Sequence, residues 1–597
     1  MRRYQEIYLE NAKKVVKLLQ HAELQGLPEE EVNRRLRERS RMIREMRKEN
    51  TAILREKLFP LLDDILTAEE EEVQALEEFA DQLMRERMDP GIRYYVCNAL
   101  VTCARVRDLR RLLIKELYMT GMALFEFQSM LEKDETGWLQ WKQSLLFGEA
   151  AGYIRFYDEI QDVETRGYIH RAMGNMALPL FPADRKSADK KFAVIRRSLQ
   201  VLTDPVYQEK TPRLPWELYI YKSHQERTSM LSWLRNGTAT SRDVREVMES
   251  AQYVFEVQRK EAKKTGGRPK LRWFYAYYAA SYHCGICTLE ELLRNLEKTY
   301  ALADHNDYSQ DGMYGNLFLP LVYSSYVEKD GEFCRRKKPV VLMMYRRQLE
   351  YLRRVPKGED MNELFYYIRC CLAGYLEYPG ENSFREYIKQ VMEGRHLETH
   401  VHSKMVAETA VLLLRELLRT DAELLLGVRG TKSLEELLER EDELLEFVYE
   451  GAKIHDIGKM KMLELYEAPS RGRISEEERL HELHSGLGGR ILERCSSTKD
   501  FVPFAVGHHR WYDGQGGYPE SYRREDVQDA VLVDIVSVAD FIDQSCNPVG
   551  DYQLDVISFE EMLKQLKAYE GSRFSPKVAA AAFRLQDTIR GMLAEFM

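Results

Sequence analysis

The sequence predicts an all-α protein in two parts. Apolar residues recur at helical spacing along nearly the whole chain, and the strict alternation of a half-buried strand is scarce. Proline and glycine gather between the periodic segments, as in GGRPK (266–270) and YPGENS (378–383). Helix starts are legible too, since TLEE (288–291) and SFEE (558–561) have the form of capping boxes. YPGENS separates stretches of unlike character. The expected division is therefore a solenoid-like region of helical hairpins over 1–380 and a second all-helical domain over 381–597.

A chain of 597 residues that is 44% hydrophobic has room for more than one core. Its formal net charge of -9 argues against a nucleic-acid polymer as partner, because such partners favour a basic surface. No run reaches the roughly 18 apolar residues of a membrane span. The opening MRRYQEIYLENAKKVV lacks the apolar core of a signal peptide. Nine scattered cysteines read as reduced thiols, and together these features predict a cytoplasmic protein. The one C-x-x-C, CGIC (284–287), has no second pair to complete a zinc site, so helix packing and a cap are its expected roles.

Two basic runs lie in the first region. RRLRERSRMIREMRK (34–48) interleaves its charges with Leu36, Met42, Ile43 and Met46, the pattern of a long helix with a solvated face. KKTGGRPK (263–270) reads as a basic loop, and both runs are expected at the surface. Three aromatic-rich helices carry two small residues before a tyrosine: ASY (280–282), SSY (324–326) and AGY (373–375). Small residues let neighbouring helices approach, which suits stacked helix pairs. In this the region resembles tetratricopeptide-type sensory domains, without their repeat of about 34 residues. The resemblance implies a protein, peptide or small-molecule ligand on this region, and a homodimer is the assembly to test.

Eight of the 13 histidines fall between 396 and 509: His396, His400, His402, His455, His481, His484, His508 and His509. Such a concentration among acidic residues points to metal. ETHVH (398–402) sets Glu398 and His402 four residues apart on one helix face. His396 and His400 lie about 200° around the helix from them and should point elsewhere. AKIHDIGKM (452–460) places His455 beside Asp456, so the imidazole can bind one metal while the carboxylate bridges to a second. Lys459 follows Asp456 by three residues, where its ammonium can meet a phosphate. HELHSGLGG (481–489) offers His481 and His484, and spacing does not choose between them. HHRWYDGQGGYP (508–519) adds His508 and His509 ahead of two tight turns, and VADFID (538–543) adds Asp540 and Asp543 at the expected start of a helix. Five imidazoles and three carboxylates suffice for two or three ions.

These pieces occur in one order: ETHVHSKMV, HDIGK, ISEEERLHELHSGLGGRIL, HHRWYDGQGGYP, VSVADFID and FSPKV. With them the segment from about 390 to the end resembles the HD-GYP domain, a branch of the HD metallophosphohydrolases. Members are all-helical, and many hydrolyse cyclic di-GMP to the linear dinucleotide pGpG or to GMP. The resemblance assigns metal binding to His402, His455, Asp456, His484, His508, His509 and Asp540. It prefers His484 to His481 because Gly488 follows four residues later. It matches Glu398 to the glutamate of members that hold a third metal, and Lys459 to the phosphate-side lysine. Gly517, Tyr518 and Pro519 match the GYP turn. It thus implies two or three divalent transition-metal ions, and mixed histidine and carboxylate ligands suit Fe or Mn, with Zn a further candidate.

The expected activity is a metal-dependent phosphodiesterase that hydrolyses a cyclic dinucleotide, with cyclic di-GMP the leading substrate. Asp456 and Lys459 would form the reacting centre, with Lys459, Gly517, Tyr518 and Pro519 against the substrate. A water whose pKa is lowered by metal is the expected nucleophile. Two departures from the family pattern bear on the substrate. The loop from the paired histidines to GYP is one residue longer here, and the run QSCNPVGDYQ (544–553) lacks the basic residues that grip cyclic di-GMP in members. Two alternatives therefore stay open: an HD phosphohydrolase of another nucleotide or phosphoester, and a catalytically silent nucleotide-sensing module. Arg471, Arg473 and Arg510 are the bases that could compensate.

Overall fold

The computed structural model describes residues 2–20, 22–24, 26–128, 133–235, 237–357, 362–466, 470–549 and 555–594. Among these the regular elements are all helical, and β-pairing is limited to isolated bridges between Arg510 and Gly517 and between Glu570 and Phe574. The fold is all-α, as the periodicity predicts. The chain divides into two compact units that do not follow chain order. One comprises Met1–Glu6, Leu54–Tyr345 and Asn362–Tyr367; the other comprises Ile7–Ile53, Arg346–Met361 and Ile368–Met597.

In the first unit, helices pack mainly on their neighbours in sequence. Pro90–Val106 lies on Arg110–Gln128, which lies on Lys133–Gly152, and the same holds from Ser241–Thr265 through Leu271–His283 to Leu289–Tyr300. Thr288 and Glu291 form the expected capping box of the last of these. Leu292, Leu293 and Leu296 are fully buried on its inner face, each contributing about 1.5–3 kcal/mol by leaving water. CGIC is the turn between two helices: Cys284 ends the first, Gly285 takes a left-handed φ of 71°, and both thiols are free. Of the three small-small-Tyr motifs, two meet. The Tyr282 and Tyr326 rings cross edge to face at 5.7 Å. Tyr375 belongs to the second unit, against Tyr387, so the third motif does not extend the stack.

The second unit is built around Leu397–Thr420, which packs on Glu441–Ile454 and Ala530–Cys546 and buries Leu413, Leu414 and Leu417. Two features of this unit differ from the sequence reading. The basic run 34–48 lies in helix Glu29–Ile53, which is part of this unit and is not merely a solvated surface. Its inner stripe holds Leu36 and Ile43 and then turns polar at Arg47 and Asn50, so the apolar period fades where the burial continues. Arg44 donates to the Pro548 carbonyl at 3.2 Å, and Thr51 Oγ1 accepts from the Gly472 N–H at 2.9 Å. YPGENS, the expected linker, is an ordered turn inside the same unit. The Asn382 side chain donates to the Tyr375 hydroxyl and the Leu376 carbonyl, and Glu377 accepts from the Phe384 N–H. Residues 550–553 of the base-free run lie outside the described residues.

Candidate metal centre

Local structure explains how each side chain reaches the site. His396 caps helix Leu397–Thr420, its Nδ1 accepting from the Thr399 N–H at 3.2 Å. It belongs to neither histidine group of the centre, but its Nε2 lies 3.9 Å from Glu398 Oε2, so it does not turn away from that carboxylate as expected. His402, one turn in, points to the unit's interior. Helix Glu441–Ile454 ends at His455, and the chain tightens into the 3-10 turn Ile457–Lys461. That turn lays Lys459 back against Asp456, with Nζ 2.6 Å from Oδ2. Gly458 allows helix His484–Leu492 to sit directly on the turn, since a Cβ there would lie 1.8 Å from the His484 carbonyl oxygen. His508 follows the short helix Val502–Gly507. Asp540 and Asp543 stand in the last two turns of Ala530–Cys546, not at its start as the sequence suggested.

These elements converge on two groups, His402 with His455 and Asp456, and His484 with His508 and His509. Asp456 lies between them. Its Oδ2 is 3.3 Å from His402 Nε2 and 3.5 Å from His455 Nε2, while its Oδ1 is 3.4 Å from His484 Nε2 and 3.7 Å from His508 Nε2. Asp540 joins from the side, with Oδ1 3.1 Å from His402 Nε2 and Oδ2 3.8 Å from His509 Nδ1. His402, His455, Asp456, His484, His508 and Asp540 are all 2% exposed or less. His509 is the partly open member.

Hydrogen bonds on the outer side fix which nitrogen faces inward. His455 Nδ1 is 2.6 Å from the Ala452 carbonyl, His484 Nδ1 is 2.6 Å from the His481 carbonyl, and His508 Nδ1 is 3.0 Å from the Phe504 carbonyl. A carbonyl can only accept, so each Nδ1 carries the proton and each Nε2 presents a lone pair to the cluster. His402 Nδ1 is 2.6 Å from Asp543 Oδ2 and is oriented by that carboxylate. Despite the close approaches, His402 Nε2, His455 Nε2 and Asp540 Oδ2 make no hydrogen bond of acceptable geometry. Buried lone pairs without donors are costly, and a divalent cation is the partner this donor set fits.

The electrostatics agree. Burial alone would raise the Asp456 carboxyl, but Lys459 and the surrounding imidazoles outweigh it and hold it well below the usual range. Asp540 is likewise held low, by His402, His455 and His509 acting against burial. Burial would depress the His402 imidazole, yet contacts with Asp456, Asp540 and Asp543 hold it well above its ordinary value. Three carboxylates here call for positive charge. Burial and the neighbouring imidazoles push His508 down to about 3, so it is neutral near pH 7, as a ligand must be.

The remaining candidates fall differently. His481 bonds the Tyr466 hydroxyl through Nδ1, so His484 is the member of the pair in the cluster. Glu398 is not in either group; its Oε2 is 3.5 Å from Lys357 Nζ. Gly517 takes φ 71°, and a Cβ there would meet the His509 carbonyl oxygen at 2.0 Å. Arg510 donates to the Gly517 carbonyl at 3.0 Å and pins the GYP turn. That turn stands Tyr518 over the imidazoles, its ring 4.7 Å from His509 and 5.9 Å from His484, with Pro519 behind it across a cis bond. Arg471 is paired with Glu477 at 2.8 Å, and Arg473 lies over the Tyr466 ring at 5.4 Å with its guanidinium 3.6 Å from Glu478.

Four residues here were given no such role by sequence reasoning. Asp543 was noted only as a carboxylate, and its bond to His402 is visible only once the two helices are packed. Lys357 and Arg47 come from distant stretches of chain. Arg47 is 4% exposed and lines, with Glu398 and Gln544, a small cavity of about 30 Å³ beside the His402 end of the centre. Arg573 lies over Phe541 and Phe574 at 5.0 and 4.9 Å, and burial pushes its guanidinium below its ordinary value, with Asp540 opposing. Among the described residues, no helix is long and apolar enough to cross a membrane. Compared with known proteins, the chain matches no family model and no curated protein.

Proposed function

We propose that this chain is a metal-dependent phosphodiesterase of the HD-GYP type that opens a cyclic dinucleotide, with cyclic di-GMP as its substrate. The observation that carries the reading is the placement of Asp456, with one carboxylate oxygen toward each histidine group. That is the position of a carboxylate shared by two ions. His402, His455 and Asp540 would hold one ion, and His484, His508 and His509 the other. Bound ions of the Fe or Mn type, with Zn a further candidate, would supply Lewis acidity and a water acidic enough to react near neutral pH.

The chain's own residues do the rest. Lys459, beside Asp456, offers a cation to a phosphate oxygen as charge builds on phosphorus. Tyr518 and Pro519 wall the open side next to His509, where substrate must enter. In the hydrolysis the water oxygen forms a bond to phosphorus, the P–O bond to one ribose breaks, and that ribose oxygen leaves as a hydroxyl carrying a proton. The product of one such step is the linear dinucleotide.

One observation favours a second reading, in which another nucleotide or phosphoester is the substrate. Arg471 is paired with Glu477, Arg473 lies 3.6 Å from Glu478, and Arg510 pins the GYP turn, so each of the three compensating bases already has a partner of its own. The deciding experiment purifies the protein anaerobically, loads Fe or Mn, and assays a panel of cyclic dinucleotides. Cleavage of cyclic di-GMP ahead of the others supports the first reading. Faster cleavage of a different phosphoester moves the assignment to the second, and full metal loading without cleavage of any supports a silent sensing module.

A further inference from the structure

The first unit contains a cavity of about 520 Å³, within the range of small-molecule sites. It lies among helices that a solenoid would be expected to close by packing. The lining explains why it stays open. Arg171, Lys222, Arg235 and Arg272 face it against the carboxylates Glu226 and Glu363, in a chain whose net charge is -9. Both carboxylates are engaged: Glu226 lies 2.7 Å from Lys191 and Glu363 lies 4.0 Å from Arg272. The balance at this wall is positive.

Two of the cations sit over aromatic rings. The Arg171 guanidinium sits 5.3 Å from the centre of the Tyr118 ring, and Arg272 sits 4.6 Å from that of Trp273. Tyr118, Trp273, Tyr314 and Tyr366 give the cavity extended π surface. Guanidinium groups so placed are preorganised for planar anions, and aromatic walls suit a flat ring.

Two buried polar atoms also point to a ligand. His170 and Tyr314 line the cavity at 1% and 4% exposure, and neither His170 Nδ1 nor the Tyr314 hydroxyl has a hydrogen-bond partner among the described residues. His170 is set by a chain of bonds behind it. Arg166 donates to Thr211 Oγ1 at 3.2 Å, Thr211 and Tyr157 meet at 2.7 Å, and Tyr157 and His170 Nε2 meet at 3.0 Å. Run from Arg166 forward, this chain gives every donor an acceptor and leaves the proton on Nδ1. Burial pushes the imidazole down to about 4, so it is neutral and offers one N–H. Buried donors left unmade cost about 1–3 kcal/mol each, which a bound acceptor would recover.

We propose that this cavity binds a small aromatic anion, with its carboxylate or phosphate held by the arginines and the donors of His170 and Tyr314, and its ring between the aromatic walls. The proposal is independent of the activity assigned to the second unit. The test uses the full chain and four probes: 2-aminobenzoate and guanosine 5′-monophosphate, with 2-aminobenzamide and guanosine as their uncharged counterparts. Binding is followed by tryptophan fluorescence and by calorimetry. At least one anion should saturate at or below about 1 mM and bind about tenfold or more tightly than its uncharged counterpart. Which anion does so separates a carboxylate site from a phosphate site. Arg272→Gln should weaken that anion about tenfold, and Tyr314→Phe, which keeps the ring, should weaken it several-fold. Equal binding of charged and uncharged probes overturns the proposal, as does no saturation by either anion or full affinity in both variants.

Discussion

Lys357 and Glu398 face one another at 3.5 Å, with both side chains withdrawn from solvent. The ammonium supplies that carboxylate with a positive charge. Glu398 was expected to hold a third metal, and in this arrangement its charge is already met. The expected metal content is therefore two ions per chain, in the wild type and in Glu398→Gln alike. Lys357→Met leaves the carboxylate without its cation and should raise the content toward three. Elemental analysis of the three anaerobically prepared proteins decides this, and a loss of one ion in Glu398→Gln would restore Glu398 as a ligand.

Asp543 acts through His402, whose Nδ1 it holds at 2.6 Å. Asp543→Asn keeps the shape but weakens that hold on the ring. Metal affinity should fall about 10–100-fold, as is usual when such an orienting partner is lost. Competition with a chelator measures it, and circular dichroism should show an unchanged helical spectrum.

Gly458→Ala tests the close approach that builds the centre. The new methyl would lie 1.8 Å from the His484 carbonyl oxygen and 2.7 Å from the Gly488 nitrogen. Backbone cannot turn aside as a side chain can, so helix His484–Leu492 must shift. The expected cost is on the order of 1–3 kcal/mol or more, with loss of the ion held by His484, His508 and His509. Urea unfolding and metal content, measured together, check both halves.

A pH effect is expected in the first unit, away from any metal ligand. Burial pushes Glu116 up to about 8, with Lys115 opposing and Asp81 and Glu77 adding to the rise, while Cys97 lies alongside. Above its ordinary pKa of 4.5 the unfolded chain gives up this proton and the folded chain keeps it. Stability is thus fully present below that value and falls as pH rises, levelling off above about 8. The slope is at most about 1.4 kcal/mol per pH unit. Glu116→Gln should flatten it, as read by amide exchange in helix Arg110–Gln128 between pH 5 and pH 9.

A fragment starting at 381, where the sequence suggests a domain boundary, lacks three stretches of the second unit, 7–53, 346–361 and 368–380. It uncovers the surface that meets Leu36, Ile43 and Arg44. It should be poorly soluble and bind metal weakly. Adding residues 7–53 through a flexible linker to a fragment from 346 should restore a cooperative thermal transition and the metal content of the full chain.

The fold class was legible because helical periodicity is local, and so was the identity of the candidate ligands, which sit in short runs at helix ends and turns. Spacing alone did not choose between His481 and His484, which lie within one turn; the resemblance preferred His484, and the Tyr466 hydroxyl, which takes His481, leaves His484 in the cluster. The solvated face of the run 34–48 is legible, but the burial of its other face past Ile43 is not, because there the stripe continues through Arg47 and Asn50. Lys357 left no signal, because its partner Glu398 lies in another stretch of the chain. The cavity in the first unit was invisible, since its arginines and tyrosines come from many separate helices and no single run concentrates them.

The interleaving of the two units sets a problem of order during synthesis. Residues 7–53 leave the ribosome before residues 346–361 and 368–597, with which they form the second unit. At about 5–20 residues per second, the growing chain must carry that amphipathic helix unsheltered for tens of seconds while the first unit forms. The basic run 34–48 then has a use that the finished molecule hides. Its charges keep a waiting helix in water until its partners arrive.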